Sequence, residues 1–454
     1  MDLAAMGLDY GTVTAPTCPG TLLQMTEATA APANVFSSIN TSSPPAADTT
    51  ASSSVFTWLS GAEPTTSPTD VGHALELLSS IYAANPTPNL FEAIGHIITS
   101  GLSTVLPDEF EKSIREDFKG ADIEPHTNPR EPASPIYPRV IPADAPYSFS
   151  ESKLRSAINI PPNFRYGAAG APQPVILVGG TGNPGRVTYE GSYIPLLQRD
   201  DDSSFADLVW LDIPGESLED VQTNAEYVAY AIHYIHGISA GRQVAVFGYS
   251  QGNVDAQWAY KYWPSTRAKV SDHVGFSPGY HGTLITEALA LVPQPPAWLQ
   301  STYTSDLVAA LNAGGGDSAH VPTTNVYSVT DQVVQPQHGE HASGALGDER
   351  GVGVSNILVQ EICEGAPAGG FYTHEAILVH PLAYALARDA LAHDGPGRAE
   401  RLDLETVCAT AVVPGLTWEN ILATENNVVY AGAATFRYPG KSWTEPVIKE
   451  YAKP

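Results

Sequence analysis

Apolar positions follow no sustained period over residues 1–66, where runs such as INTSSPPAADTTASSS show a content of Ala, Thr, Ser and Pro. Such a segment buries too little apolar surface to offset its ordering entropy, so it predicts a disordered tail. The pattern changes at Asp70, a candidate cap. From there Val71, Ala74, Leu75, Leu78, Ile81 and Tyr82 recur at helical spacing. Leu90, Phe91, Ile94, Ile97, Ile98, Leu102 and Val105 form a second apolar face. Phe110, Ile114 and Phe118 mark a third, shorter helix over 108–118 that Gly120 stops. Residues 67–120 thus predict a helical extension. Its polar faces lack the Lys and Arg of membrane-surface helices, which favours packing on one another or on the domain that follows. Proline recurs across 121–142 and marks a linker.

The remaining segment, 143–454, alternates between two periods. Short apolar runs at 174–178, 208–211, 244–247 and 325–329 read as buried strands. Helix-like stretches at 217–235, 254–263 and 305–312 lie between most of them. This alternation predicts an α/β domain with a mostly parallel central sheet and helices on both faces.

Composition narrows the function classes. The chain has 454 residues, more than one typical domain. With 49 Asp and Glu against 22 Lys and Arg, its formal charge of -27 argues against nucleic acid and anionic membrane surfaces as partners. No uncharged apolar run is long enough for a transmembrane segment. Met1-Asp2-Leu3-Ala4-Ala5 shows neither the basic nor the apolar region of a secretory leader, so an intracellular chain and one whose leader lies outside this sequence both stay open. Asn40-Thr41-Ser42 fits a glycosylation acceptor, a common triplet of little weight. Three cysteines, Cys18, Cys363 and Cys408, exclude a multi-thiolate metal site and leave room for one disulfide.

Candidate chemistry centres on Gly248-Tyr249-Ser250-Gln251-Gly252, which follows the strand-like Val244-Ala245-Val246-Phe247 and precedes a helix-like segment. In a nucleophile elbow the serine sits on a strained turn and projects above the sheet, and small flanking residues let strand and helix approach. Gly237-Ile238-Ser239-Ala240-Gly241 fits the same G-x-S-x-G pattern, but it lies after a helix and before a strand and reads as an ordinary turn. Ser250 is therefore the candidate nucleophile.

The loop Gly179-Gly180-Thr181-Gly182-Asn183-Pro184-Gly185 supports two rival functions. Gly180, Gly182 and Gly185 fit the dinucleotide fingerprint G-x-G-x-x-G, which would make an NAD(P)-dependent oxidoreductase. That fingerprint should open a helix, yet 186–194 is rich in β-branched and aromatic residues and contains Gly191. Alternatively, the loop aims backbone N–H groups at an oxyanion, with Gln251 as a second donor. Only this second reading also explains the elbow. A serine nucleophile needs a base and an orienting acid, which follow in the order Ser, acid, His. Asp331 sits just after the 325–329 strand, where catalytic groups collect in open α/β sheets; its bland role would be a turn former. Among the histidines, His338 and His341 lie in a polar loop, His374 precedes a helix-like run, and His380 lies inside it. Position favours His374.

From about Asp144 to Thr410 the chain resembles the fungal lipases typified by Candida antarctica lipase B, of the α/β-hydrolase superfamily. The likeness is strongest in PVILVGGTGNPG, YSQGNVDAQWAYKYWPSTRAKV, GFSPGYHGT and VPTTNVYSVTDQVVQPQ. The resemblance implies an α/β-hydrolase fold and cleavage of carboxylic esters, lipid or smaller, with no cofactor and no metal. It implies Ser250, Asp331 and His374 as catalytic triad, and Thr181, through its N–H and hydroxyl, with Gln251 as oxyanion hole. It also places Tyr249, Gly279, Val333 and Val334 along the substrate pocket and pairs Cys363 with Cys408. Secretion and transient contact with a lipid interface follow from the same likeness. Three positions depart from the family: Gly248 stands for a threonine, Tyr249 for a tryptophan of the alcohol side, and Gly279 for an aspartate. The first 140 or so residues lie outside the resemblance. A binding protein with a vestigial site is the non-enzyme alternative, and it is disfavoured because all three triad residue types remain.

Overall fold

The computed structural model describes residues 64–84, 90–103, 128–198, 205–284 and 293–453. Most of the 1–66 tail, Cys18, the Asn40 triplet and the 108–118 helix expected from sequence lie outside these residues.

Seven strands form one sheet: β1 (Ile158–Asn159), β2 (Gln173–Val178), β3 (Ala206–Leu211), β4 (Val244–Tyr249), β5 (Val270–Phe276), β6 (Thr323–Tyr327) and β7 (Val354–Leu358). Their spatial order is β1-β3-β2-β4-β5-β6-β7. Only β1 runs antiparallel to its neighbour; every other pair is parallel. The long helices among the described residues are α1 (Val71–Ala84), α2 (Leu90–Thr99), α3 (Val221–Ile238), α4 (Gln251–Tyr262), α5 (Pro381–Ala392) and α6 (Trp418–Arg437).

The apolar runs of the central strands are continuous because both faces of the sheet are covered. Alternate residues Ile176, Val178, Val209 and Val246 face α3 and α4, where Ala225, Val228, Ile232 and Trp258 complete a core. Val175, Leu177, Ala245 and Phe247 point the other way, toward Leu382, Leu386 and Ala390 of α5. Truncating a fully buried residue such as Ile232 to Ala would cost roughly 2–5 kcal/mol, as transfer and cavity terms add.

The strands seen as apolar runs all form, with β6 displaced toward the N-terminus of its expected range. β5 was hidden by Ser271, Asp272 and His273, and β7 by its alternating, half-exposed edge pattern. His273 is buried because both ring nitrogens find partners, Nε2 with Asn253 Oδ1 at 3.0 Å and Nδ1 with Tyr260 Oη at 3.2 Å. One expectation is corrected. Residues 186–194 were not expected to be helical, yet Gly185–Tyr189 and Tyr193–Leu197 form two short helices. Pro184 presets the first turn with φ -65°, and burial of Thr188 and Tyr189 outweighs their weak helix propensity.

The apolar faces of α1 and α2 meet each other. Ala74, Leu78, Ile81 and Tyr82 pack with Ala93, Ile94 and Ile97, and the pair covers Leu422, Val428 and Val429 of α6. The proline-rich stretch from 128 lies along α3, whose Tyr234 hydroxyl is within 2.9 Å of Asn128 O and 2.7 Å of Arg130 O. Helix α6 opens on a reciprocal cap between Thr417 and Asn420, which satisfies two of its orphan donors.

Candidate active site

Ser250 stands between the last residue of β4 and the first of α4, with φ 52° and ψ -123°. A non-glycine residue at positive φ carries strain, and it persists here because its surroundings hold it. Ser250 N donates to Phe276 O at 3.0 Å, and Asn253 Nδ2 donates to Ser250 O at 3.0 Å. Glycine is required on both sides of the turn. A Cβ on Gly252 would come within 2.6 Å of the Val178 and Gly179 carbonyl oxygens, and one on Gly248 within 2.4 Å of Asn253 Oδ1. A threonine at position 248 would therefore displace Asn253 here.

Ser239, the rival serine, is buried in the turn that leads into the opposite end of β4, and no described residue accepts or donates a hydrogen bond to its hydroxyl. The flanking Ala240 and Gly241 have positive φ, the geometry of a turn.

Asp331 follows β6 and His374 follows the loop after β7. His374 Nδ1 lies 2.7 Å from Asp331 Oδ2, and both side chains are buried. Asp331 Oδ1 accepts the amides of Val333 and Val334 at 2.8 and 2.7 Å, which fixes the carboxylate in its turn. The His374 backbone is held too: its N–H donates to Gln332 Oε1 at 2.7 Å, and its carbonyl accepts from Ser277 Oγ at 2.8 Å. Burial works against the imidazolium, but the Asp331 charge and hydrogen bond outweigh it, and the pKa is raised. Nε2 of His374 makes no hydrogen bond among the described residues, and His374 lines the same pocket as Ser250. The acid and histidine are thus already paired, while the serine to histidine hydrogen bond is not formed.

The other histidines stand elsewhere. His338 and His341 are exposed. His380, expected within a helix, instead caps the start of α5: its Nδ1 accepts from Leu382 N at 3.1 Å and its Nε2 lies 2.8 Å from Ala368 O. Pro381 explains the offset, since the residue before a proline is steered away from helical geometry. With both nitrogens engaged and its pKa lowered by burial to about 4, His380 is a structural group.

Thr181 and Gln251 meet beside the elbow. Thr181 Oγ1 donates to Gln251 Oε1 at 2.5 Å, and Gln251 Nε2 donates to Ser217 O at 3.0 Å. The Thr181 hydroxyl, implied by the resemblance to face an oxyanion, is here engaged with the Gln251 side chain. The Gln251 amide is the first of α4, where unpaired N–H groups and the helix dipole favour negative charge.

Gly180, Gly182 and Gly185 each let the loop approach another part of the structure closely. A Cβ on Gly180 would meet Ser250 Cβ at 3.0 Å and the Tyr249 ring, one on Gly182 would meet Ala431 of α6 at 2.8 Å, and one on Gly185 would meet Leu211 O at 2.4 Å. These glycines bring the loop against elbow, helix and sheet.

Tyr249, Gly279, Val333 and Val334 all line the Ser250 pocket, which Trp298 and α6 close. The Tyr249 ring lies 5.0 Å from the His374 ring, centroid to centroid. Sequence reasoning missed a polar layer behind the histidine. Gln332 Nε2 donates to Glu375 Oε2 at 2.8 Å and to the Tyr82 hydroxyl at 3.2 Å. Glu425 of α6 accepts from the Thr373 hydroxyl at 3.1 and 3.2 Å. Burial raises the pKa of Glu375; burial and the neighbouring Glu375 push that of Glu425 well up. Adjacency to Asp331 and His374 was the only sequence signal for Gln332 and Glu375. Cys363 and Cys408 are joined in a disulfide, with Cα atoms 5.4 Å apart.

A mostly parallel sheet with a serine on a strand-to-helix elbow, an acid after a later strand and a histidine beyond it defines the α/β-hydrolase class. No protein-family model matches the chain. Lipase B of Pseudozyma antarctica is 32% identical over 286 residues, 62% of this chain and 80% of that protein. The crystal structure of Aspergillus fumigatus lipase B superposes with a TM-score of 0.79 at 42% identity, covering 88% of this chain and 95% of that one. The chain belongs to this fungal lipase B family, and it is a carboxylic ester hydrolase.

Proposed function

We propose that the protein cleaves carboxylic esters through an acyl-enzyme on Ser250. The observation that carries this reading is the shared pocket: Ser250 at positive φ, with a histidine whose Nδ1 is held by Asp331 and whose Nε2 is left for the chemistry. His374 Nε2 takes the Ser250 proton as Oγ attacks the ester carbonyl, and Asp331 stabilises the imidazolium. The carbonyl oxygen becomes an oxyanion, which the N–H groups of Gln251 and Thr181 stabilise. One such donor commonly contributes about 3–4 kcal/mol to the transition state. His374 then returns the proton to the leaving alcohol. Water attacks the acyl-enzyme with His374 again as base, releasing the acid and restoring Ser250.

The lining of Tyr249, Val333, Val334 and Trp298 favours acyl or alcohol groups with apolar surface. Tyr249, beside the nucleophile, is the residue assigned to alcohol selectivity. Replacing it with the larger Trp should depress kcat/KM for esters of bulky secondary alcohols about tenfold more than for ethyl esters, the scale that pocket contacts command. An unchanged ratio would remove Tyr249 from the alcohol pocket. The buried disulfide supports an oxidising compartment, and hence secretion. Action on lipid at an interface is the finer form of the same reading. It is tested by turnover of p-nitrophenyl esters of graded chain length with and without an emulsion: a gain for long chains at the interface supports a lipase, and none supports an esterase.

A further inference from the structure

The α1–α2 hairpin reaches the site by a hydrogen bond at Tyr82 and by apolar packing. Tyr82, on the last turn of α1, is buried, and its hydroxyl accepts from Gln332 Nε2 at 3.2 Å. The Gln332 side chain spans three elements. Its carbonyl oxygen accepts the His374 N–H at 2.7 Å, and its amide nitrogen donates to Glu375 as well as to Tyr82. Gln332 itself lies in the turn whose next two amides, Val333 and Val334, grip Asp331 Oδ1. The hairpin also packs on Phe371, just upstream of His374, and on Val428 of α6, which lines the pocket.

An amide with three partners of fixed position has its orientation decided by them. Gln332 must present its oxygen to His374 and its nitrogen to the acceptors, because the reverse would leave the His374 N–H facing another donor. The His374 N–H, which can only donate, sets that choice, and Glu375 and Tyr82 accept from the amide nitrogen. A sub-ångström drift of the His374 backbone would be felt at Nε2, where a misplacement of about 1 Å can lower turnover of order 10²-fold.

We propose that the α1–α2 hairpin is a fixed part of the catalytic machinery, with Tyr82 and Gln332 as positioning residues that lock the His374 backbone to the Asp331 turn. The inference rests on the assignment of Asp331 and His374 as triad members. Neither Tyr82 nor Gln332 is asked to touch substrate, so their effect belongs in kcat rather than in KM.

A double-mutant cycle in the full chain tests this, using Tyr82→Phe, Gln332→Ala and the pair, with p-nitrophenyl butyrate as substrate and thermal unfolding measured alongside. Tyr82→Phe should lower kcat about three- to tenfold, the scale of one buried hydrogen bond, with KM unchanged within about twofold. The pair should be no slower than Gln332→Ala alone, because the two residues act through one bond network. If Tyr82→Phe lowers kcat equally in both backgrounds, or lowers only the melting temperature, the hairpin is merely packed against the site and the proposal is overturned. Should Gln332→Ala fail to fold, Gln332→Met replaces it in the cycle, since it removes the same amide and leaves less of a cavity. His374→Ala run in parallel separates the two levels: full activity in that variant would overturn the triad reading itself, whereas its loss with unchanged kcat in Tyr82→Phe overturns only the role of the hairpin.

Discussion

Ser250 and His374 are both held through their backbones. Ser250 is fixed in a strained turn, and both the N–H and the carbonyl of His374 are hydrogen-bonded. His374→Ala should therefore approach the loss seen on removing Ser250, while His380→Ala, which uncaps α5, should lower the melting temperature and spare most of kcat. Parity of the two variants in kcat would contradict the assignment. In the proposed mechanism His374 must be neutral to accept the serine proton, so kcat/KM should fall as the solution is acidified through the His374 pKa. Asp331 raises that pKa against the opposing effect of burial, which places the acid limb above the ordinary value near ~6.5. A midpoint below that value would show that the Asp331 contact does not govern the imidazole.

At the scale of elements, the site depends on how closely β2, β4 and α4 approach. Gly252→Ala sets a methyl 2.6 Å from two backbone carbonyl oxygens, so α4 must move and carry the Gln251 amide with it. Activity should fall of order 10²-fold by misplacement of the donor. Comparing kcat/KM with the melting temperature checks this, and a variant that keeps full turnover would mean that α4 has slack. The elbow was legible in the sequence because its constraint is local: strand, two glycines, helix. The Asp331 position was legible from its place after a strand. The glycine loop was ambiguous, since turn chemistry and a nucleotide fingerprint both need glycine, and in the sequence only the elbow favoured one reading. Gln332, Glu375, Glu425 and Tyr82 were not legible as a group. They come from four distant segments, and no periodicity marks a polar residue that is buried by its partners. β5 failed for the same reason, because His273 reads as exposed until Asn253 and Tyr260 are seen beside it.

Across the whole molecule, buried acids set a pH limit. Glu425 is buried beside Glu375 and its folded pKa is raised by that burial, so the native state holds a proton that the unfolded chain releases. This contribution is fully present below the unfolded carboxyl value of about 4.3 and is lost as pH rises through the folded pKa. Glu425→Gln removes the cost of ionisation. Its melting temperature should match the parent near pH 4 and exceed it increasingly toward pH 8; calorimetry showing a constant gap would contradict the raised pKa. The Cys363–Cys408 bridge, between segments separated by 45 residues, restricts the unfolded chain. Its removal by a Cys363→Ala, Cys408→Ala pair should cost about 2–4 kcal/mol in denaturant unfolding. No helix among the described residues is long and apolar enough to cross a membrane.

The central claim is that one strained serine carries the reaction. The most direct measurement is labelling of the full chain with a serine-directed alkyl phosphonate, followed by peptide mass spectrometry. The label should fall on the peptide bearing Ser250, with one equivalent abolishing ester hydrolysis, and His374→Ala should slow labelling by orders of magnitude. Stoichiometric label on Ser239 or any other serine, with activity lost in step, would contradict the account.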